Sequence, residues 1–218
     1  MTNDVRAVLF DFGGVILSSP IEGFLAYEAA AGLPRGFLQS LNVRDPDTNA
    51  WACMERGELS EDEFYARFEA EARAQGGTID AREVLRRLTG RVRPEMVDVL
   101  RTLRARYTTV CVTNNMRIGF GTAMASSPEL AAEIADVMAL FEHVIESCKI
   151  GARKPERRFF EHACQAAGIP PEACVFLDDL GMNLKTARAM GMTTIKVTAP
   201  AAAIEELERV LGHPIRPV

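Results

Sequence analysis

The chain has 218 residues, of which 48% are hydrophobic and 25% are charged, values usual for a folded globular protein. They exclude a collagen-like or wholly disordered chain, and the length predicts one large domain or a core that carries a smaller insertion. The 25 basic and 30 acidic side chains give a net charge of −5, which argues against nucleic acid or an anionic membrane as the main partner.

The sequence shows no sign of a membrane span or a targeting segment. Its apolar runs are far shorter than the roughly 18 residues that a span needs. Asp4 stands where a signal peptide carries basic residues. The five cysteines are widely spaced and form no Cys-x-x-Cys pair, which favours a reducing compartment such as the cytoplasm. The sequence gives no indication of the oligomeric state.

Short β-rich runs alternate with helical patterns in the C-terminal half of the chain. The predicted strands are residues 5–10, 108–112, 143–146, 173–177 and 193–197. The predicted helices are residues 94–106, 155–167, 182–190 and 201–211. This alternation is typical of a parallel sheet flanked by helices, so we predict a doubly wound α/β fold.

The segment between the first two predicted strands breaks this rhythm. Residues 17–89 predict four or five consecutive helices and no strand. Ser60 and Glu63, for example, have the spacing of a capping box at the start of a helix. We therefore predict an α/β core of residues 1–16 and 90–218, with an α-helical cap of residues 17–89 inserted after the first strand.

Polar side chains follow several of the predicted strands. Ligands of an open parallel sheet bind beyond the C-terminal ends of its strands. Each of these positions alone is more often a helix cap or a solvated charge than a catalyst, but together they indicate an active site. Residues 116–127 predict a long loop close to the same edge. The polar residues at this edge are Asp11, Thr113, Asn114, Lys154, Asp178 and Asp179.

These residue types suggest phosphoryl transfer with a metal ion. Three carboxylates packed at one edge repel one another unless a cation lies between them. Mg²⁺ prefers oxygen ligands and can also clamp a phosphate. An aspartate can attack phosphorus and divide the transfer into two steps, while hydroxyl, amide and ammonium groups hold the anion. Asp11 is the predicted nucleophile.

Residues 10–15 (FDFGGV) and 176–185 (FLDDLGMNLK) resemble the haloacid dehalogenase superfamily, whose members are mostly Mg²⁺-dependent phosphatases. The resemblance covers nearly the whole chain. It is closest to the branch with a small helical cap, which includes the phosphatase domain of soluble epoxide hydrolase and the related domain fused to some acyl-CoA dehydrogenases. It implies a Mg²⁺ cofactor and a small phosphorylated metabolite, either a phosphomonoester or an acyl phosphate, as substrate.

The resemblance also implies roles for the residues that bind substrate. Asp11 matches the nucleophile of the family. Lys154 matches the lysine that pairs with the nucleophile and the phosphate. Thr113 and Asn114 match the residues that bind the transferring phosphoryl group. All four residues are therefore expected to surround the phosphate.

A second set of roles concerns the metal ion. The resemblance implies that Mg²⁺ is held by Asp11, Asp179 and the main-chain carbonyl of Gly13. Asp178 would orient water on the ion, and Asn183 would brace this acidic loop. The adjacent pair Asp178 and Asp179 makes dehalogenation a poorer interpretation, because dehalogenases of the family need no metal and the pair would be hard to justify without one.

Gly13 departs from the family pattern. Most family phosphatases carry a second aspartate there, which protonates the leaving oxygen, and general acid catalysis contributes about 10²–10⁴-fold. Three interpretations remain open. The protein hydrolyses good leaving groups such as acyl or sugar 1-phosphates; the cap supplies an acid, for which Glu55 and Glu58 are available; or the domain is catalytically weak and binds a phosphorylated ligand or a protein partner.

Overall fold

A five-stranded, all-parallel sheet forms the centre of the molecule, with strand order β3-β2-β1-β4-β5. The computed structural model describes residues 4–88, 90–119 and 122–215. The strands are β1 (Ala7–Phe10), β2 (Thr108–Thr113), β3 (His143–Glu146), β4 (Cys174–Asp178) and β5 (Thr193–Lys196). Every predicted strand overlaps an observed one, with ends displaced by at most two residues. The fold is doubly wound, as predicted, and the winding reverses between β1 and β4.

Between β1 and residue 92, the described residues form five consecutive α-helices. They are α1 (Pro20–Ala31), α2 (Phe37–Val43), α3 (Ala50–Glu55), α4 (Glu61–Ala74) and α5 (Ala81–Arg86). We call them the helical insertion. Its two connections to the sheet meet at an isolated antiparallel bridge between Leu17 and Val92.

The helical insertion has an apolar core of its own. Trp51 of α3 packs against Phe64 and Phe68 of α4, with ring centroids 5.9 and 5.7 Å away. The predicted capping box begins α4: the Ser60 N–H donates to Glu63 Oε2 (2.8 Å) and the Glu63 N–H donates to Ser60 Oγ (3.4 Å). This core lets the insertion hold its shape beside the sheet.

In the part of the chain that the structure describes, six further α-helices complete the core. They are α6 (Pro94–Leu103), α7 (Pro128–Met138), α8 (Ser147–Ile150), α9 (Arg157–Ala167), α10 (Gly181–Ala189) and α11 (Pro200–Leu211). Helices α6, α7 and α11 pack on the sheet face that carries Val8 and Phe10. Helices α9 and α10 pack on the face that carries Leu9 and Phe176. Because side chains alternate along a strand, a sheet covered on both faces needs the nearly continuous apolar strands seen here.

The sequence analysis did not predict α7, which begins directly after the predicted loop. Ser127 Oγ accepts the N–H of Leu130 (3.2 Å), and Pro128 occupies the first turn. The buried residues of α7 all lie in its C-terminal half. The predicted loop contains one 3₁₀ turn, Thr122–Met124, while residues 120 and 121 lie outside the described residues.

None of the helices in the described segments is long and apolar enough to cross a membrane. All five cysteines are free thiols. Cys111 on β2 and Cys174 on β4 are buried, and burial raises the pKa of the Cys111 thiol.

Candidate active site

The ends of β1 and β4 meet at the point where the winding of the sheet reverses. Phe10 pairs with Leu177 across the two strands, and the Asp11 N–H continues the ladder by donating to the Leu177 carbonyl (2.9 Å). Asp11 and Asp178 therefore leave adjacent strands at the same level. Ligands of doubly wound sheets bind in the crevice at this reversal point.

Lys154 brings the two strand ends together. Its Nζ lies 2.7 Å from Asp11 Oδ1 and 2.9 Å from Asp178 Oδ2, and its side chain is 1% exposed. Burial alone would lower the pKa of Lys154, but the two carboxylates outweigh burial and raise the pKa above its ordinary value. The ammonium group therefore stays protonated between the two acids.

Three carboxylates converge at this edge. One oxygen each from Asp11, Asp178 and Asp179 lies within 4.8 Å of the others, the only such His, Cys, Asp or Glu group within residues 4–88, 90–119 and 122–215. Burial is the main cause that raises the pKa of Asp11 and of Asp179, and the charge of Asp178 raises both further. Three acids against one ammonium leave excess negative charge, so this set of hard oxygen donors fits Mg²⁺.

The tight turn after β1 lets Asp179 approach closely. Gly14 has φ +79°, and a Cβ atom there would lie 2.2 Å from Asp179 Oδ2. The Ser19 hydroxyl donates to the same oxygen (3.3 Å), and Arg93 Nη1 donates to the Gly14 carbonyl (2.7 Å). Ser19 and Arg93 belong to the two connections of the helical insertion. One connection therefore contacts the acidic loop through Asp179, and the other contacts the turn after β1 through Gly14.

Asp178 is the most enclosed of the three acids, with no exposed surface. Its oxygens accept hydrogen bonds from Lys154 Nζ, from Asn183 Nδ2 (3.0 and 3.1 Å) and from the Leu180 N–H (2.7 Å). Asn183 thus braces the loop that carries Asp178. The predicted role of Asp178 in orienting water stays a prediction.

Thr113 and Asn114 lie at the end of β2, next to Lys154. Asn114 Oδ1 accepts the Lys154 N–H (2.8 Å), and Asn114 Nδ2 donates to the Lys154 carbonyl (3.0 Å) and to Glu55 Oε2 (3.0 Å). Both amide hydrogens of Asn114 are therefore engaged in this structure. The buried Thr113 hydroxyl contacts only the Asn114 carbonyl (3.5 Å) among the described residues. Phosphoryl binding by these two residues stays a prediction.

Gly13 leaves room at the position where family phosphatases usually carry an acid. Its φ and ψ of −70° and 130° suit any residue, and an added Cβ would lie 3.7 Å from the Pro20 ring. The two carboxylates considered as substitute acids are both paired with arginines: Glu55 with Arg153, and Glu58 with Arg56.

Ser19, Arg93 and Arg153 contact the site but were not predicted from the sequence. Ser19 reads as an ordinary helix cap, and it does cap α1 by accepting the Ile21 N–H (3.4 Å). Arg93 lies in an arginine-rich stretch that is typical of a solvated surface. Only Arg153, next to Lys154, stood beside a predicted site residue.

Loss of the buried lysine should destabilise the fold. In a Lys154→Met variant the carboxylates of Asp11 and Asp178 lose their shared cation, and breaking a buried pair in this way costs about 3–5 kcal/mol. Urea unfolding in EDTA measures this loss. Lys185→Met, which changes an exposed lysine on α10, should alter the free energy of unfolding by less than about 0.5 kcal/mol. Equal stability of the two variants would contradict the prediction.

The molecule thus combines a doubly wound sheet, a cluster of three carboxylates around a buried lysine at the point where the winding reverses, and a helical insertion. This is an α/β architecture in which the strand ends form the place for a ligand. The family model described as haloacid dehalogenase-like hydrolase matches residues 5–191. The chain belongs to this family of hydrolases.

Some curated relatives are much longer than this chain. The chain is 31% identical to mouse acyl-CoA dehydrogenase family member 10 over 96% of its own length and 19% of that protein. It is 30% identical to mouse bifunctional epoxide hydrolase 2, over 95% of the chain and 39% of that protein. It thus spans well under half of either protein. A sesquiterpene phosphatase of Aspergillus oryzae is 26% identical, over 97% of this chain and 100% of that protein.

Solved structures share the fold. A predicted HAD-like family hydrolase from Porphyromonas gingivalis superposes with a TM-score of 0.63 at 22% identity, over 95% of this chain and 98% of that one. A family enzyme from Bacteroides thetaiotaomicron, in complex with magnesium and inorganic phosphate, superposes with a TM-score of 0.59 at 18% identity, over 89% of this chain and 96% of that one. At these identities the likeness concerns the fold alone.

Proposed function

We propose that this hydrolase is a Mg²⁺-dependent phosphatase of small phosphomonoesters or acyl phosphates. The proposal rests on one observation: the Lys154 ammonium lies 2.7 Å from Asp11 Oδ1, where three carboxylates lie within 4.8 Å of one another. A relative named as a phosphatase and a structural neighbour that holds magnesium and phosphate support it. The alternative, a weak binding domain, is not favoured, because the family match is to hydrolases.

In the first step Asp11 attacks the phosphorus atom. The Phe12 N–H (2.6 Å) and Lys154 both contact Oδ1, so Oδ2 is the attacking oxygen. A bond forms from Oδ2 to phosphorus while the bond from phosphorus to the leaving oxygen breaks. Lys154 holds the charge of the phosphoryl group. Asp11, Asp179 and the Gly13 carbonyl would hold Mg²⁺, which supplies further charge neutralisation when bound.

In the second step water attacks the aspartyl-phosphate and releases inorganic phosphate, which restores the Asp11 carboxylate. The leaving oxygen of the first step needs a proton, and Gly13 supplies none. We therefore propose substrates whose leaving oxygen needs little protonation, such as acyl phosphates and sugar 1-phosphates. The helical insertion acts as a cap that excludes bulk water during transfer.

A substrate panel tests this function. Acetyl phosphate, glucose 1-phosphate, a sesquiterpenyl monophosphate and a simple alkyl phosphate would be incubated with folded protein, in MgCl₂ and in EDTA. We expect phosphate release in MgCl₂ only, and faster release from acetyl phosphate than from the alkyl phosphate. A folded protein that releases no phosphate from any of them would overturn the proposal.

Magnesium should stabilise the fold. At 100 times its Kd, an ion that binds only the folded state adds about 2.7 kcal/mol, which raises the Tm of a chain of this size by roughly 5–10 °C. Differential scanning calorimetry in MgCl₂ and in EDTA measures the shift. Asp179→Asn should lose most of it, and a full shift in that variant would place the ion elsewhere.

The shift should also depend on pH. Burial raises the pKa of Asp11 and Asp179 in the ion-free fold. As the pH rises through the raised pKa of each acid, that acid ionises and the ion-free fold becomes less stable. The ion offsets this repulsion, whereas at lower pH protons compete with it. The Tm shift should therefore grow with pH, and a shift that grows as the pH falls would contradict this assignment.

A further inference from the structure

Glu55, at the end of α3, is a buried carboxylate that links the helical insertion to the core. The residue is 7% exposed. Its Oε1 accepts the Trp51 indole N–H (3.0 Å), while its Oε2 accepts hydrogen bonds from Arg153 Nε and Asn114 Nδ2 (3.0 Å). One donor belongs to α3 and two belong to the core. Both oxygens of the carboxylate are thus occupied across the junction.

One core donor, Asn114, is itself a predicted phosphoryl-binding residue, and the other, Arg153, is adjacent to Lys154 in the sequence. Arg153 precedes Lys154, and Asn114 follows Thr113. The Asn114 side chain also accepts the backbone N–H of Lys154 (2.8 Å) and donates to the backbone carbonyl of Lys154 (3.0 Å). A single side chain therefore connects Glu55 to the backbone of the buried lysine. Arg153 extends the contact, because its Nη1 donates to the Pro46 carbonyl of the insertion (3.2 Å).

Stability of α3 does not explain this carboxylate. A negative charge at the C-terminal end of a helix meets the negative end of the helix dipole, which is unfavourable. Burying a carboxylate is also costly unless it is paired and hydrogen-bonded. The hydrogen-bond donors that compensate the buried charge of Glu55 come mainly from the core. Glu55 therefore stabilises the contact between the insertion and the core rather than α3 itself.

We propose that Glu55 is a positioning residue, which couples the seating of the helical insertion to the placement of Lys154 and of the end of β2. This inference rests on the proposed phosphatase function. When the insertion packs against the core, Glu55 accepts a hydrogen bond from the Asn114 amide. Asn114 is in turn hydrogen-bonded to the backbone N–H and carbonyl of Lys154. When the insertion lifts, the contacts to Asn114 and Arg153 break together. The phosphate site is thus complete only in the closed molecule.

Kinetics give the first test. Glu55→Gln keeps the shape and one acceptor oxygen, but it replaces the other oxygen by an NH₂ group and loses the charge that pairs with Arg153. We expect kcat/KM for acetyl phosphate to fall about 10–100-fold, as small misplacements of reacting groups do, and to fall further in Glu55→Ala. Adding Arg153→Gln to Glu55→Gln should cost little more, because the pair acts as one unit. Glu83→Gln, whose ion pair with Arg87 lies wholly within α5 and its C-terminal end, should match the wild type.

Fluorescence gives a second test that needs no turnover. Trp51 is the only tryptophan of the chain, and its indole N–H donates a hydrogen bond to Glu55. Titration with inorganic phosphate in MgCl₂ should change its emission in the wild type. In Glu55→Gln we expect this change in emission to vanish. Titration calorimetry should give a Kd for inorganic phosphate that is about tenfold higher, which corresponds to binding weaker by about 1.4 kcal/mol.

The outcomes separate the two proposals. If both Glu55 variants have the kcat/KM of the wild type and an unchanged Kd for inorganic phosphate, the positioning role is overturned, even if the variants unfold at a lower temperature. The phosphatase proposal would still stand. A folded wild-type protein that neither releases nor binds phosphate would overturn both. Activity retained in Glu55→Gln but lost in Glu83→Gln would also contradict the positioning role.

Discussion

Replacing Asp11 by asparagine is expected to abolish turnover, lowering kcat/KM by about 10⁴-fold or more. The amide has nearly the shape of the carboxylate, and its oxygen can still accept from Lys154 Nζ and the Phe12 N–H. The neutral amide, however, cannot attack phosphorus to form an aspartyl-phosphate. Phosphate release from acetyl phosphate in MgCl₂ measures the effect, with thermal unfolding as a check that the variant is folded.

Asp98→Asn is a suitable control for this change. Asp98 lies on α6 and pairs with Arg101 at the surface (2.8 Å), so its replacement should leave kcat/KM unchanged. Turnover that survives Asp11→Asn would show that another group supplies the nucleophile. In that case the doubly wound fold would stand, but the chemistry proposed for its edge would not.

Gly13→Asp should raise kcat for a simple alkyl phosphate by about 100-fold, because a general acid there would protonate the poor leaving oxygen. The backbone at Gly13 suits any residue, and the nearest atom to an added Cβ is Pro20 Cδ at 3.7 Å, an ordinary contact. For acetyl phosphate the gain should be small, since its leaving carboxylate needs no proton. The ratio of the two rates measures the role of the acid.

Gly13→Asn separates acid catalysis from a change of shape. Asparagine has the size of aspartate but no acidic proton, so it should give no gain on the alkyl phosphate. An equal gain in both variants would contradict an acid role. Activity that appears only in Gly13→Asp would instead favour the binding-domain alternative, because the natural chain would then lack turnover.

Much of the core could be predicted because its signals are local. The strands carry apolar side chains on both faces, so short β-rich runs between helical patterns predicted all five of them. The strand-end rule placed Asp11 and Asp178 at one edge, with Lys154 just before a following helix. The structure puts Lys154 Nζ within 3 Å of an oxygen of each of these two acids. Residue type and position after a strand were sufficient for this much.

The junction between the helical insertion and the core was decided by tertiary structure alone. Glu55 and Arg153 are 98 positions apart, and Ser19 and Asp179 are 160 apart, so no local period or cap signal relates them. Their partners depend on how the insertion packs over the edge of the sheet. The sequence by itself determined the strands, the acids and the lysine. The alternation of β-rich runs with helical patterns, and the positions where strands end, can be recognised from neighbouring residues. Only the folded chain determined which side chains close the site, because burial of a charge depends on what distant segments place around it.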